Sequence, residues 1–145
     1  MKYMLLIYGN EEAFTSVGPE AFAQILRETD ALNQELFESG ELVGAYGVAD
    51  QVNAKVVRVT GGAPVVTDGP YAEAKELFNG FWIIQVSSKE EAAEWAKRCP
   101  LGPGARLEVR RINELEDFPQ DNEWIQKEAQ WRADAEAGKL ARPAE

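Results

Sequence analysis

Gly80-Phe81-Trp82-Ile83-Ile84-Gln85-Val86, followed directly by Ser87-Ser88-Lys89-Glu90-Glu91, decides the fold. The first seven residues are rich in aromatic and β-branched side chains and are apolar at both parities. A strand with one wet face would alternate apolar with polar, so this one is expected to be covered on both sides. Ser88 with Glu91 three residues on is a capping box, the hydroxyl and the carboxylate each satisfying an orphan amide of a new helix. That helix carries Ala92, Trp95, Ala96 and Cys99 on one face and stops before Pro100.

Upstream, Asp68-Gly69-Pro70-Tyr71-Ala72-Glu73-Ala74-Lys75-Glu76 packs a turn, acids and a base into nine residues. Gly69 precedes proline and is pushed toward extended backbone, while Pro70, with φ fixed, can open a helical turn across 70–77. Asp68 then sits at a sharp exit from a strand. Before it, Gly61-Gly62 separates Lys55-Val56-Val57-Arg58-Val59-Thr60 from Ala63-Pro64-Val65-Val66-Thr67, a two-residue hairpin signal. Pro64 cannot donate to a ladder, which assigns its strand to an edge or to a place beside an irregularity. Leu42 to Val48 reads as another strand, with Leu42, Tyr46 and Val48 on one side and small residues opposite. Gly18-Pro19-Glu20 opens a helix whose Phe22, Ile25, Leu26, Thr29, Leu32 and Leu36 form one apolar stripe, stopped at Gly40. Residues 2–8 form a first strand, apolar on both faces and too short for a signal peptide or membrane span.

Downstream, a Gly102-Pro103-Gly104 loop leads to Arg106-Leu107-Glu108-Val109-Arg110-Arg111-Ile112, an edge strand with one clearly apolar face. Beyond Pro119 the composition shifts. Asp121 or Asn122 caps a charged helix with Trp124, Trp131 and Ala135 on one side, Gly138 ends it, and the tail to Glu145 is expected to be mobile. The expected organisation is therefore a domain over 1–118 and a C-terminal amphipathic helix with its tail over 119–145.

Strand, helix, strand, hairpin, strand, helix, strand is an α+β, ferredoxin-like βαββαβ plan with an inserted β-hairpin. Both helices pack on one face of an antiparallel sheet. The central strands keep a second apolar face, and each Val, Ile or Trp buried there is worth roughly 1.5–3 kcal/mol. Two copies stacked sheet against sheet, an isologous homodimer, would hide it.

The 145 residues, 45% hydrophobic and 28% charged, have the balance of a soluble globular domain. A net charge of −10 argues against nucleic acid and anionic membrane surfaces, which take clustered Lys and Arg. The single cysteine, Cys99, fits a reducing cytoplasm and reads as a small buried hydrophobe. Histidine is absent, which removes Ser-His and Cys-His nucleophiles and histidine-ligated zinc or haem. Neither GxGxxG nor a P-loop occurs and no ligand spacing suggests a metal, so no cofactor is expected.

The opening Met1-Lys2-Tyr3-Met4-Leu5-Leu6-Ile7-Tyr8-Gly9, Thr67-Asp68-Gly69-Pro70-Tyr71-Ala72-Glu73, Lys75-Glu76, Gly80-Phe81, Trp95-Ala96, Arg98-Cys99-Pro100 and Glu108-Val109-Arg110 together resemble the YCII-related family. The branch is the one named for its Asp-Gly-Pro-Phe (DGPF) motif, and the resemblance covers about residues 1–118. It implies a dimeric α+β barrel and, for some members, chemistry on small cyclic or chlorinated compounds with a His-Asp pair. Only the aspartate carries over, onto Asp68. Tyr71 stands for the motif's usual Phe, Ala74 for Thr or Ser, and Arg111 where proline is common.

Asp68 reads two ways, as a carboxylate at a cleft mouth acting as general base or polar anchor, or as an Asx turn residue bonding the next amides. Gly69, Pro70 and Tyr71 would flank that cleft, with Tyr8, Tyr46 and Trp82 lining it or packing in the core. Glu73 and Lys75 read as a solvated face. Arg106 and Arg110 read as edge-strand charges or a carboxylate clamp. The functional expectation is a small organic molecule bound or converted beside the Asp-Gly-Pro turn. The alternative is a non-catalytic interaction or regulatory module using the acidic surface or the C-terminal helix.

Overall fold

The computed structural model describes residues 1–49, 53–69 and 76–139, without the side chains of Glu11 and Phe14. Two compact units emerge, Met1–Ile112 and Asn113–Glu145. In the first, β1 (Lys2–Gly9), β2 (Leu42–Gly47), β5 (Leu77–Gln85) and β6 (Arg106–Arg111) form one antiparallel sheet in the order β2-β5-β1-β6. With β3 (Lys55–Thr60) and β4 (Ala63–Asp68) set aside as a separate two-stranded sheet, that is the ferredoxin-like order. The hairpin turns through Gly61 and Gly62 at φ +63° and +90°, the twist that a two-residue connection needs. Pro64 pairs with Val59 in that two-stranded sheet.

Helices α2 (Gly18–Glu38) and α3 (Lys89–Arg98) contribute Leu32, Leu36, Ala92 and the adjoining Cys99 to one core with Tyr3, Leu5, Trp82 and Ile84 of the sheet and Val86 just past β5. Each strand residue comes from one parity, as period-two alternation requires. Arg98 grips Glu35 through both terminal guanidinium nitrogens, tying α3 to α2. At the start of α3 the Ser88 hydroxyl accepts from the Glu91 amide at 3.1 Å, while the Glu91 carboxylate reaches Ser87 N at 2.9 Å, one residue earlier than the capping box predicts.

Three further local details differ from the sequence expectation. A bulge between Leu42 and Gly44 puts Leu42 opposite Ile84 but Tyr46 opposite Phe81, so these two lie on opposite faces, and Val48 falls beyond the strand. Gly69 takes φ +87° rather than extended backbone, a conformation open to glycine, and its N–H donates to Ala54 O at 2.8 Å. A five-residue helix, α1 (Glu11–Thr15), precedes α2. The helical turn expected over 70–77 lies outside the described residues up to Lys75, and Leu77 already belongs to β5.

The second unit holds a 3₁₀ turn at Leu115–Asp117 and helix α4 (Glu123–Glu136). Of the two cap candidates, Asn122 serves, its side chain accepting from Trp124 N at 2.9 Å. Trp124 and Trp131 are 64% and 72% exposed. The expected mobile tail lies, from Leu140 on, outside the described residues. No helix among the described residues is long and apolar enough to cross a membrane.

Candidate functional site

The apolar stripe of α2 is buried only in its C-terminal half. Leu32 and Leu36 are in the core, whereas Phe22 and Leu26 are 40% and 53% exposed. A half-open cavity of about 650 Å³ lies beneath the N-terminal half, bounded by α2, the ends of β1, β2 and β5, and the loop after α3. Phe22, Ile25 and Leu26 wall it on the helix side, with Ile7, Ala45 and Trp82 on the sheet side. The volume and the apolar wall are those of a small-molecule site.

Small residues keep the sheet side open. Gly80 faces Gly47 across the β2–β5 ladder, where an added Cβ would lie 2.7 Å from Tyr46 O. One residue away, the β1–β5 register slips: Ile7 pairs with Gly80 but Tyr8 with Phe78, leaving Asn79 as the bulged residue at the cavity. Bulges of this kind re-aim a side chain. From the helix, Asn33 also lines the space, and its Oδ1 accepts from the indole Nε1 of Trp82 at 2.7 Å. Thr29 and Thr15 spend their hydroxyl protons on the carbonyls of Ile25 and Glu12. None of the described lining residues carries a charge.

The expected site residues are dispersed. Trp82, 4% exposed, belongs to the core and the cavity wall. Tyr8 lies on the opposite face of the sheet, edge-on to Phe78, with the Arg106 guanidinium 4.5 Å from its ring centroid. Tyr46, 64% exposed, packs its ring against Phe81 on that face, although the residue also borders the cavity. Asp68 ends β4, its side chain 85% exposed and Oδ1 2.5 Å from Lys55 Nζ. Gly69 follows it, half-buried. Pro70, Tyr71, Glu73 and Lys75 lie outside the described residues.

Arg106 and Arg110 both meet carboxylates of their own chain, Glu76 at 2.5 Å and Glu108 at 3.7 Å. Cys99 donates its thiol to Trp95 O, and burial pushes it up to about 12, so it remains a neutral thiol at ordinary pH.

Asn33 and Asn79 did not stand out in the sequence. Asn33 follows Thr29 by four residues and so continues the apolar stripe with an amide, and Asn79-Gly80 breaks an otherwise apolar strand. Those interruptions were the signal.

A family model for the YCII-related domain matches residues 1–116. The chain belongs to the YCII-related family. An uncharacterised protein of Rhizobium meliloti (strain 1021) is 30% identical to this YCII-related chain over 97 residues, spanning 67% of the chain and 78% of that protein.

Proposed function

We propose that this YCII-related protein binds a small organic molecule in the cavity under α2, as a cytoplasmic homodimer of the DGPF branch with the dimeric α+β barrel arrangement. The observation that carries the reading is the cavity of about 650 Å³, apolar in its walls and touched by a few amides. Phe22 and Leu26 stay exposed at its wall, apolar surface that a bound molecule would cover. Asp68, paired with Lys55 and not among the described lining residues, is proposed as a polar group near the mouth only on the strength of where the hairpin leaves and rejoins the sheet. The hairpin leaves the sheet after β2 and returns at β5, and Val48 and Asn79 beside the two junctions both line the cavity.

Titration with the neutral dye phenylnaphthylamine tests the reading. Its fluorescence should rise to saturation at one site per chain. Ala45→Phe and Leu26→Trp, which fill the cavity from the sheet and the helix, should each abolish the rise while leaving the melting temperature within a few degrees. Unsaturable binding, or binding unchanged in both variants, would remove the proposal. Asp68→Asn should weaken binding with little change in stability if the anchor role holds. A large loss of stability with unchanged binding would make Asp68 a turn residue.

A second reading, a non-catalytic interaction module, is favoured by exposed Trp124 and Trp131 on α4. Removing residues 119–145 would then abolish capture of a protein partner and leave dye binding intact.

A further inference from the structure

We infer that the cavity selects neutral ligands carrying a hydrogen-bond acceptor, such as a ketone carbonyl, through the side-chain amide of Asn33. This rests on the cavity being a binding site and names the class of molecule it takes.

The polarity of Asn33 is set by its neighbour. An indole nitrogen can only donate, so the 2.7 Å contact from Trp82 Nε1 must be accepted by the amide oxygen. Trp82 is 4% exposed, which locks this partner in place. The amide nitrogen is left with two N–H groups, and no described residue accepts from it.

The other polar groups at the wall are less one-sided. The hydroxyl protons of Thr29 and Thr15 are already donated to helix carbonyls. Asn79 lines the cavity from the bulge, and its side chain also has no hydrogen-bond partner among the described residues. Asn33 is therefore the lining side chain whose spare groups are all donors, and it sits in an apolar surround. A ligand with an acceptor satisfies them, while a pure hydrocarbon leaves them unpaired. A carboxylate would be stripped of water with no cation in the described lining to meet it.

Three naphthalene probes of nearly equal size separate these cases by their own fluorescence: acetylnaphthalene, ethylnaphthalene and naphthoate. The full-length protein should bind the ketone roughly tenfold more tightly than the hydrocarbon, the discrimination of one desolvated hydrogen bond, and naphthoate more weakly than either. In Asn33→Leu the ketone preference should fall to about one, with ethylnaphthalene gaining affinity because no amide donor is left unpaired beside it. Asn33→Asp, which still accepts from Trp82 but cannot donate in its ionised form, should lose the same preference if Asn33→Leu folds poorly. Equal binding of ketone and hydrocarbon, a preference that survives both variants, or tight naphthoate binding would overturn the inference and leave the cavity reading standing. Failure of all three probes to bind would overturn the cavity reading itself.

Discussion

Gly80 shows how one missing side chain shapes this subunit. β2 and β5 approach so closely there that a Cβ would meet Tyr46 O at 2.7 Å and Gly47 Cα at 3.2 Å, both backbone atoms with nowhere to retreat. Gly80→Ala is therefore expected to cost on the order of 1–3 kcal/mol, the usual range for overpacking, and to distort the cavity floor. Urea unfolding measures it, and an unchanged midpoint would contradict the register. In the sequence Asn79-Gly80 interrupts an apolar strand, but nothing there says that position 80 must be glycine. The need for glycine comes from Gly47, which lies 33 positions earlier and opposite it only once the strands pair. The same holds for Asn33, whose indole partner is 49 residues away. Local pattern placed each of these residues on its element, but the contacts that give them a role are long-range.

At the scale of elements, the two helices are joined by one ion pair as well as by the core. Arg98 meets Glu35 with a two-pronged grip and its guanidinium lies 4.7 Å from the Trp95 ring centroid. The Arg98 hydrogen bond holds the Glu35 carboxyl below its ordinary value. A depressed carboxylate adds stability that is present at neutral pH and lost as acid protonates it, below the ordinary value of 4.5. The coupling measured by a Glu35→Gln, Arg98→Met double-mutant cycle should thus be present at neutral pH, shrink on acidification and shrink with added salt. Coupling that is indifferent to both would show the pair to be idle. Elements with a strong period were legible in advance: α2 from its stripe, α3 from Ser88, the hairpin from Gly61-Gly62. Helix α1 was not, because five residues hold too little periodicity. Nor were the faces of β2, because the bulge at Val43 reverses the parity that alternation assumes.

For the whole molecule, the sheet has one face under the helices and a second that remains apolar. Met4 and Leu6 of β1 and Phe81 and Ile83 of β5 are half-buried on that second face, beside Tyr46. This is the surface through which the proposed homodimer would form, and Ile83→Lys should convert it to a monomer in sedimentation equilibrium at micromolar concentration. A monomeric parent protein would contradict the pairing. The cavity, by contrast, lies on the helix side and involves residues of one unit, Met1–Ile112, so ligand binding is expected to survive Ile83→Lys. The most direct test is a crystal of the protein soaked with acetylnaphthalene. Density for the probe between α2 and Trp82, its carbonyl oxygen within hydrogen-bond distance of Asn33 Nδ2, is the expected result. A closed space, with Phe22 and Ile25 packed directly onto Ile7 and Trp82 and the probe absent or elsewhere, would contradict the account.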